Sequence, residues 1–325
     1  MTLELMPDIV LGTLLLLMAW GALYAPTRYD AMALFVAFGV VVALIWARLG
    51  APDLALAEAA IGAGLTGVLL MQAARQLPAE VSVTGKRMPW FGSSLLFLVL
   101  TCAMFAAHIL TDSSFKQAGI DTSATRLLGG PTVPEMVTAA LPNSGVSYPV
   151  TAVLLNFRAW DTMLELLVLL LALTGVRQLY PGTPQHPRAN TASSPQAWPV
   201  LLSWARFLAP LLVLLGGFLL WRGASGPGGA FQAGALLASA AVMLRLTGLL
   251  PPLRWSSFLL RLTVILGALL FLGVALASLA FGDGWLVYPT QWAGALIIVI
   301  ELAATLSIAV TLSLLVIGES EDLAS

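Results

Sequence analysis

The stretch ARLGAPDLALAEAAIGAGLTGVLLM, residues 47–71, decides the fold. From Leu54 onward it is an apolar run long enough to cross a bilayer, since about 20 helical residues at 1.5 Å each match the hydrocarbon thickness. The turn Gly50-Ala51-Pro52-Asp53 opens the run, and a single glutamate, Glu58, sits in its apolar part. A charge at such a position costs about 2.5–3.5 kcal/mol even on lenient insertion scales, so it usually faces a bundle interior or a wet cavity. Two later runs repeat the pattern: NFRAWDTMLELLVLLLALTGV (156–176) holds Glu165, and GALIIVIELAATLSIAVTLSLLVI (294–317) holds Glu301. Three isolated carboxyls on three apolar spans suggest ion or proton handling.

The rest of the chain agrees with a membrane setting. Of its 325 residues 59% are hydrophobic and 10% charged, with mean hydropathy +0.93. That charge content is well under half of the roughly 25% of a soluble domain. The net charge of −1 lacks the basic footprint of a nucleic-acid partner. One cysteine, Cys102, and two histidines, His108 and His186, allow no internal disulfide, iron–sulfur cluster or ordinary zinc site. No cofactor or metal is therefore expected. The start MTLELMPDIV carries Glu4 and Asp8 without a basic residue, which fits a first span better than a removed leader. No nucleophile–base pairing or Gly-x-Ser-x-Gly turn occurs, so an enzyme is not expected.

Nine apolar runs read as spans: Ile9–Leu23, Ala31–Ala47, Leu54–Ala74, Trp90–Leu110, Ala159–Leu179, Leu201–Trp221, Phe231–Leu250, Phe258–Phe281 and Trp292–Ile317. Turn-forming separators such as Ala25-Pro26-Thr27-Arg28, Pro251-Pro252 and Phe281-Gly282-Asp283-Gly284 support the division. The fold class expected is an all-α integral membrane protein of about nine transmembrane helices. Longer connections cover Thr111–Val150 and Tyr180–Pro199, the latter rich in Pro, Ser and Thr and suited to a linker; Ala79–Pro89 is a shorter joint. Basic residues divide ten against five between the two sides, which places the N-terminus outside and the C-terminus in the cytoplasm.

Depth and spacing single out the groups that can do chemistry. Glu58 lies five residues past Asp53, about 8 Å along the helix, and Glu165 seven past Arg158, about 10 Å. Arg158, Asp161 and Glu165 stand at i, i+3 and i+7, hence on one helical face. An arginine there favours the charged form of Asp161, whereas a carboxyl held out of water binds its proton more tightly. A group poised in this way can take and release a proton at working pH. Plainer readings stand beside these. Asp53 and Asp161 suit helix caps, and the glutamates suit interhelical hydrogen bonds. Gly62, Gly64 and Gly67 suit close helix packing, or a helix irregularity that gates water. Thr101, Cys102 and His108 on the fourth span are equally ambiguous. GPGGAFQAG (226–234) permits tight turns and places Gln232 to hydrogen-bond across the start of the seventh span; without a following Lys-Ser/Thr it is no phosphate loop.

At these residues the chain resembles a known family. ARLGAPDLALAEAAIGAGL resembles the D subunit of membrane-bound hydrogenases, equivalent to part of the C-terminal region of the Mrp antiporter A subunit. PVTAVLLNFRAWDTMLE (149–165) resembles the neighbouring E-subunit segment, and GPGGAFQAGALLASA (226–240) the Mrp B subunit with its PGGGFQGG motif. The resemblance divides the chain into a D-like three-helix module (1–78), an E-like two-helix module (88–180), a linker (181–199) and a B-like four-helix module (200–318). Glu58 matches the family's acid after GAPD, and Arg158, Asp161 and Glu165 match its R…D…E. There are departures: Asn156 stands where Asp is common, Leu164 replaces a glycine, and Ile300-Glu301-Leu302-Ala303 stands where an acid in a Phe-Asp-x-Gly context is usual.

What the resemblance implies is a multi-pass subunit of a multisubunit monovalent cation (Na+)/proton antiporter of Mrp type in the bacterial inner membrane. Its partners would be large antiporter-like subunits, small C-, E-, F- and G-like subunits, Na+, H+ and the lipid bilayer. Glu58, Glu165, Asp161, Arg158 and Glu301 would form the relay. One alternative is the ion-translocating part of a hydrogenase or complex I-like respiratory complex; the other is a membrane scaffold without conducting residues.

Overall fold

A computed structural model describes residues 2–70, 131–179, 199–281 and 284–318. The expected fourth span Trp90–Leu110 with Thr101, Cys102 and His108, the joint 79–89, and linker residues 180–198 with His186 lie outside the described residues. All regular structure among the described residues is helical, and seven helices are long and apolar enough to cross a membrane. The chain falls into two compact units, Met1–Met136 and Val137–Ser325.

In the first unit, α1 (Thr2–Tyr24) and α2 (Arg28–Arg48) form an antiparallel pair. Thr27 caps α2 by accepting the Asp30 N–H at 3.1 Å, and Arg48 at the far end pairs with Asp8 near the start of α1. The third span, Pro52–Leu70 (α3), packs on α2. It is α-helical over Pro52–Ala57 and then widens into a π-helix over Glu58–Leu65.

The second unit begins at the end of α4 (Val133–Ala140) and continues with the short α5 (Pro149–Ala152). Its remaining helices are α6 (Ala159–Leu179), α7 (Pro199–Arg222), α8 (Ala230–Leu246), α9 (Phe258–Phe281) and α10 (Ala293–Ile317). The centre is α8 against α10, with α7, α9 and α6 around them. Lipid tails are as apolar as leucine, so close approach of small residues, not burial from water, holds these helices together. Ala233, Ala235 and Ala238 of α8 are fully buried, and Gly267 of α9 lies against Ala304 and Ser307 of α10. Ser307 also donates to the Val264 carbonyl at 2.5 Å.

Among the described residues, helix ends fall near the expected boundaries except at the start of α1, Thr2 against the expected Ile9, and in the seventh span. Phe231–Leu250 was the expectation, but α8 stops at Leu246, after 17 residues. Gly248 follows in the left-handed region, φ +75, and the N–H groups of Leu249 and Leu250 turn back to the Leu244 carbonyl. This glycine-centred stop satisfies the last carbonyls and ends the helix early.

One end of the unit gathers residues 141–158, 222–229 and 284–292. Ser147 and Tyr148 donate to the Ala224 carbonyl at 3.0 and 3.2 Å, and Gly145 packs on the backbone of Gly294. At the other end Arg177 lies 3.6 Å from the Trp255 ring centre, a cation–π contact.

Candidate ion-path carboxyls

Among the described residues Glu301 is the most enclosed acid, 3% exposed in the first half of α10. Its room is made by the turn between α7 and α8. A Cβ on Gly223 would stand 3.0 Å from the Glu301 Oε1 and 2.8 Å from the Gly229 Cα. A Cβ on Gly229 would stand 3.3 Å from the same oxygen and 3.7 Å from the Gln232 Oε1. Gly229, at φ +113, is also the N-cap of α8 and offers no side-chain cap. The carboxyl thus lies beside a helix start, where free N–H groups and the helix dipole favour negative charge. The turn itself is tied down. Thr151 donates to the Gly223 carbonyl at 2.6 Å, and the Gly229 N–H reaches the Leu219 carbonyl at 3.0 Å.

Glu58 opens the π segment of α3 and is half-buried. A Cβ on Gly62, one turn on, would overlap its Oε1, so the missing side chain of Gly62 accommodates the acid. Gly67 does pack between helices, with Val36 of α2 2.8 Å from where its Cβ would be, whereas Gly64 is exposed. Thr66 closes the π segment on the Ile61 carbonyl, donating to it both its backbone N–H and, at 2.8 Å, its hydroxyl. Asp53 stands in the first turn of α3, behind Pro52, and the N-cap position itself is Ala51.

Arg158 and Asp161 form the expected ion pair, Nε to Oδ2 2.8 Å, at the start of α6. Before it the chain makes a second π segment, Val153–Phe157, which nothing in the sequence announced. Its geometry is fixed by the Arg158 N–H to the Val153 carbonyl (2.7 Å), Thr162 to the Leu154 carbonyl (2.7 Å) and Asn156 to the Ser144 carbonyl (2.8 Å). Asn156, where an Asp is common in the resembling family, therefore serves as a donor.

Glu165 departs from the expected inward position. Ala159, Thr162, Met163, Leu166 and Leu173 are the buried face of α6. Glu165 is exposed in the chain, alongside Leu164 and Val168. At about 100° per residue those five side chains share one face, and Glu165 falls about 100° round the helix from its centre. Two polar groups absent from the sequence-based candidates also emerge here, Trp285 and Tyr288 between α9 and α10. The available signal was an aromatic pair at the mouth of a span, the usual interfacial position. Burial pushes the Tyr288 hydroxyl above the ordinary tyrosine range.

Comparisons with known proteins fit this arrangement. Residues 13–79 match the MbhD family, the D subunit of MBH, and residues 200–320 match the domain related to the MnhB subunit of Na+/H+ antiporter. No match to this sequence is found among curated proteins. The structure of the Mrp complex from Dietzia sp. DQ12-45-1b contains a similarly folded chain: TM-score 0.65 and 20% identity, over 97% of this chain and 35% of that one. The present chain thus spans about a third of the length of that relative. The membrane-bound sulfane sulfur reductase, an archaeal respiratory membrane complex, contains another, with TM-score 0.50 and 24% identity over 70% of this chain and 97% of that one. The chain is a multi-pass membrane protein in which one segment matches the MbhD family and another the domain related to MnhB.

Proposed function

We propose that this protein is a membrane subunit of a multisubunit Na+/proton antiporter that contributes carboxyls to the translocation path. The observation that carries the reading is Glu301: an acid on a membrane span, 3% exposed and housed by a glycine turn of the MnhB-related segment. An intramembrane acid enclosed in this way is expensive without a function. Glu58 would be a second station, and the π segment that starts there supplies a helix able to change register around it. Arg158 and Asp161 would set the field at the start of α6. Glu165, exposed on that helix, would act where a neighbouring subunit covers it.

Large antiporter-like subunits and small C-, E-, F- and G-like subunits are the partners this reading requires, in a bacterial inner membrane. The chain itself would perform no covalent chemistry. Arg177, Arg206, Arg245, Arg254 and Arg261 belong to one end of the second unit, against Arg158 and Arg222 at the other, which favours a cytoplasmic C-terminus.

A second reading has its own support. The similarity to a chain of a respiratory membrane complex fits a redox-driven pump built from the same subunits. The test is sodium-dependent proton flux in inverted vesicles carrying the full complex, with Glu58→Gln, Glu165→Gln and Glu301→Gln compared with wild type and assembly checked on the same preparations. Lost flux with intact assembly is expected. Unchanged flux in all three leaves a scaffold, and flux that requires an electron donor instead of a sodium gradient selects the pump.

A further inference from the structure

Two polar atoms of the second unit are buried without a hydrogen-bond partner among the described residues: the indole Nε1 of Trp285 and the hydroxyl of Tyr288. Leaving a buried donor unsatisfied costs about 1–3 kcal/mol, and native proteins meet that need with an ordered water or an ion. Tyr288 is only 6% exposed. The segment carrying both side chains is held firmly. Leu286 between them sits at φ +58, rare for a branched residue, while its N–H bonds the Ser278 hydroxyl at 2.9 Å. Trp285 stacks on Trp160 at the start of α6, 5.5 Å between ring centres.

The same end of the unit has an open cavity of 360 Å³, lined by Thr138, Leu141, Pro142, Gly145, Val146 and Ser147. Leu141 and Val146 belong to the packed cluster that also holds Trp285, Tyr288, Ile297 and Ile300. Glu301 lies next in the chain, eight residues or about 12 Å down α10 from Ala293. The Gly223–Gly229 turn reaches that depth too, since it lies against the carboxyl. Irregular backbone within a membrane persists only where protein buries it or where it lines water.

We propose that this end of the second unit is a water-filled inlet to Glu301, with Trp285 and Tyr288 holding the ordered water between the cavity and the carboxyl. The proposal rests on the reading of Glu301 given above and adds its route. An indole N–H and a phenol O–H both donate to water oxygen, and the phenol accepts in return, so the chain of bonds can continue inward. A phenol, with an ordinary pKa of about 10, stays a donor across the working pH range.

The experiment uses the full complex with Glu301→Cys in a background otherwise free of cysteine. Silver ion, which reaches a thiol only through water, is added from the side of the 284–292 segment, and surviving thiol is counted after denaturation. The thiol is expected to react from that side, and adding Trp285→Phe with Tyr288→Phe slows the reaction about tenfold. A thiol that stays unreacted, or a rate that the double substitution leaves unmoved, overturns the inlet. A cryo-EM map of the wild-type complex gives an independent reading. Water density in hydrogen-bond reach of both atoms supports the inlet, and a partner subunit's side chain bonded to them overturns it. Normal flux in Glu301→Gln beside a silver-reactive Cys would retract the relay and leave the inlet standing.

Discussion

Glu58 and Glu301 are both acids given room by glycine, yet the room has different origins. Glu58 is accommodated by its own helix, through Gly62 one turn away in an irregular π segment. Glu301 is accommodated by other helices, through Gly223 and Gly229 at a turn that Thr151 ties down. A local arrangement can shift with the side chain, because the atom nearest Gly62 is the end of a flexible glutamate. A non-local one cannot, because Gly223 meets the backbone of Gly229. The contrast is between a movable acid and a fixed one.

The sharpest way to break the contrast is Gly223→Val. It overfills a site bounded by backbone and is expected to destabilise the second unit by about 3 kcal/mol or more, read as a lowered thermal transition and poor assembly of the complex. Tyr288→Phe acts through pH. The folded pKa is raised, so the wild type loses stability once pH rises past the unfolded value of about 10, by up to about 1.4 kcal/mol per pH unit. The variant lacks that alkaline loss, and equal slopes in pH-dependent unfolding would refute the buried hydroxyl.

Gly62→Ala should change stability by less than about 1 kcal/mol, because a displaced glutamate tip is offset by better helix propensity. Sodium-driven flux should nonetheless fall. A collapse in stability matching that of Gly223→Val would mean the two sites are alike. Thr151→Val leaves the Gly223 carbonyl without its donor and should cost about 1 kcal/mol. Asp161→Asn should cost least, about 0.5 kcal/mol, since its ion pair with Arg158 is largely exposed; a thermal transition matching wild type within error would agree.

Spans were legible from the chain because length, apolarity and glycine–proline punctuation are local. Ala159–Leu179 and Phe258–Phe281 begin and end where the hydropathy places them. What stayed hidden was rotation. A membrane helix such as α6 is apolar on every side, so no polar stripe tells the inward Leu166 from the outward Glu165. The π segment at Val153–Phe157 has no residue signature, being set by bonds to Ser144 and across to Thr162. The partner of Glu301 was equally out of reach, since Gly223 and Gly229 come from a turn more than seventy residues earlier. The spacing of Arg158 and Asp161, by contrast, was enough for their ion pair, because i, i+3 contact is a property of any helix.

The place where α8 starts bears on membrane voltage. Its first turn lies level with Glu301, about 12 Å along α10, while the hydrocarbon layer is about 30 Å thick. On the proposed function, a cation or proton at that carboxyl would have crossed a sizeable fraction of the membrane field, and every 100 mV acts on a full crossing with about 2.3 kcal/mol per charge. On the same reading, arrival at Glu301 would be an electrogenic step in its own right, driven or opposed by the potential.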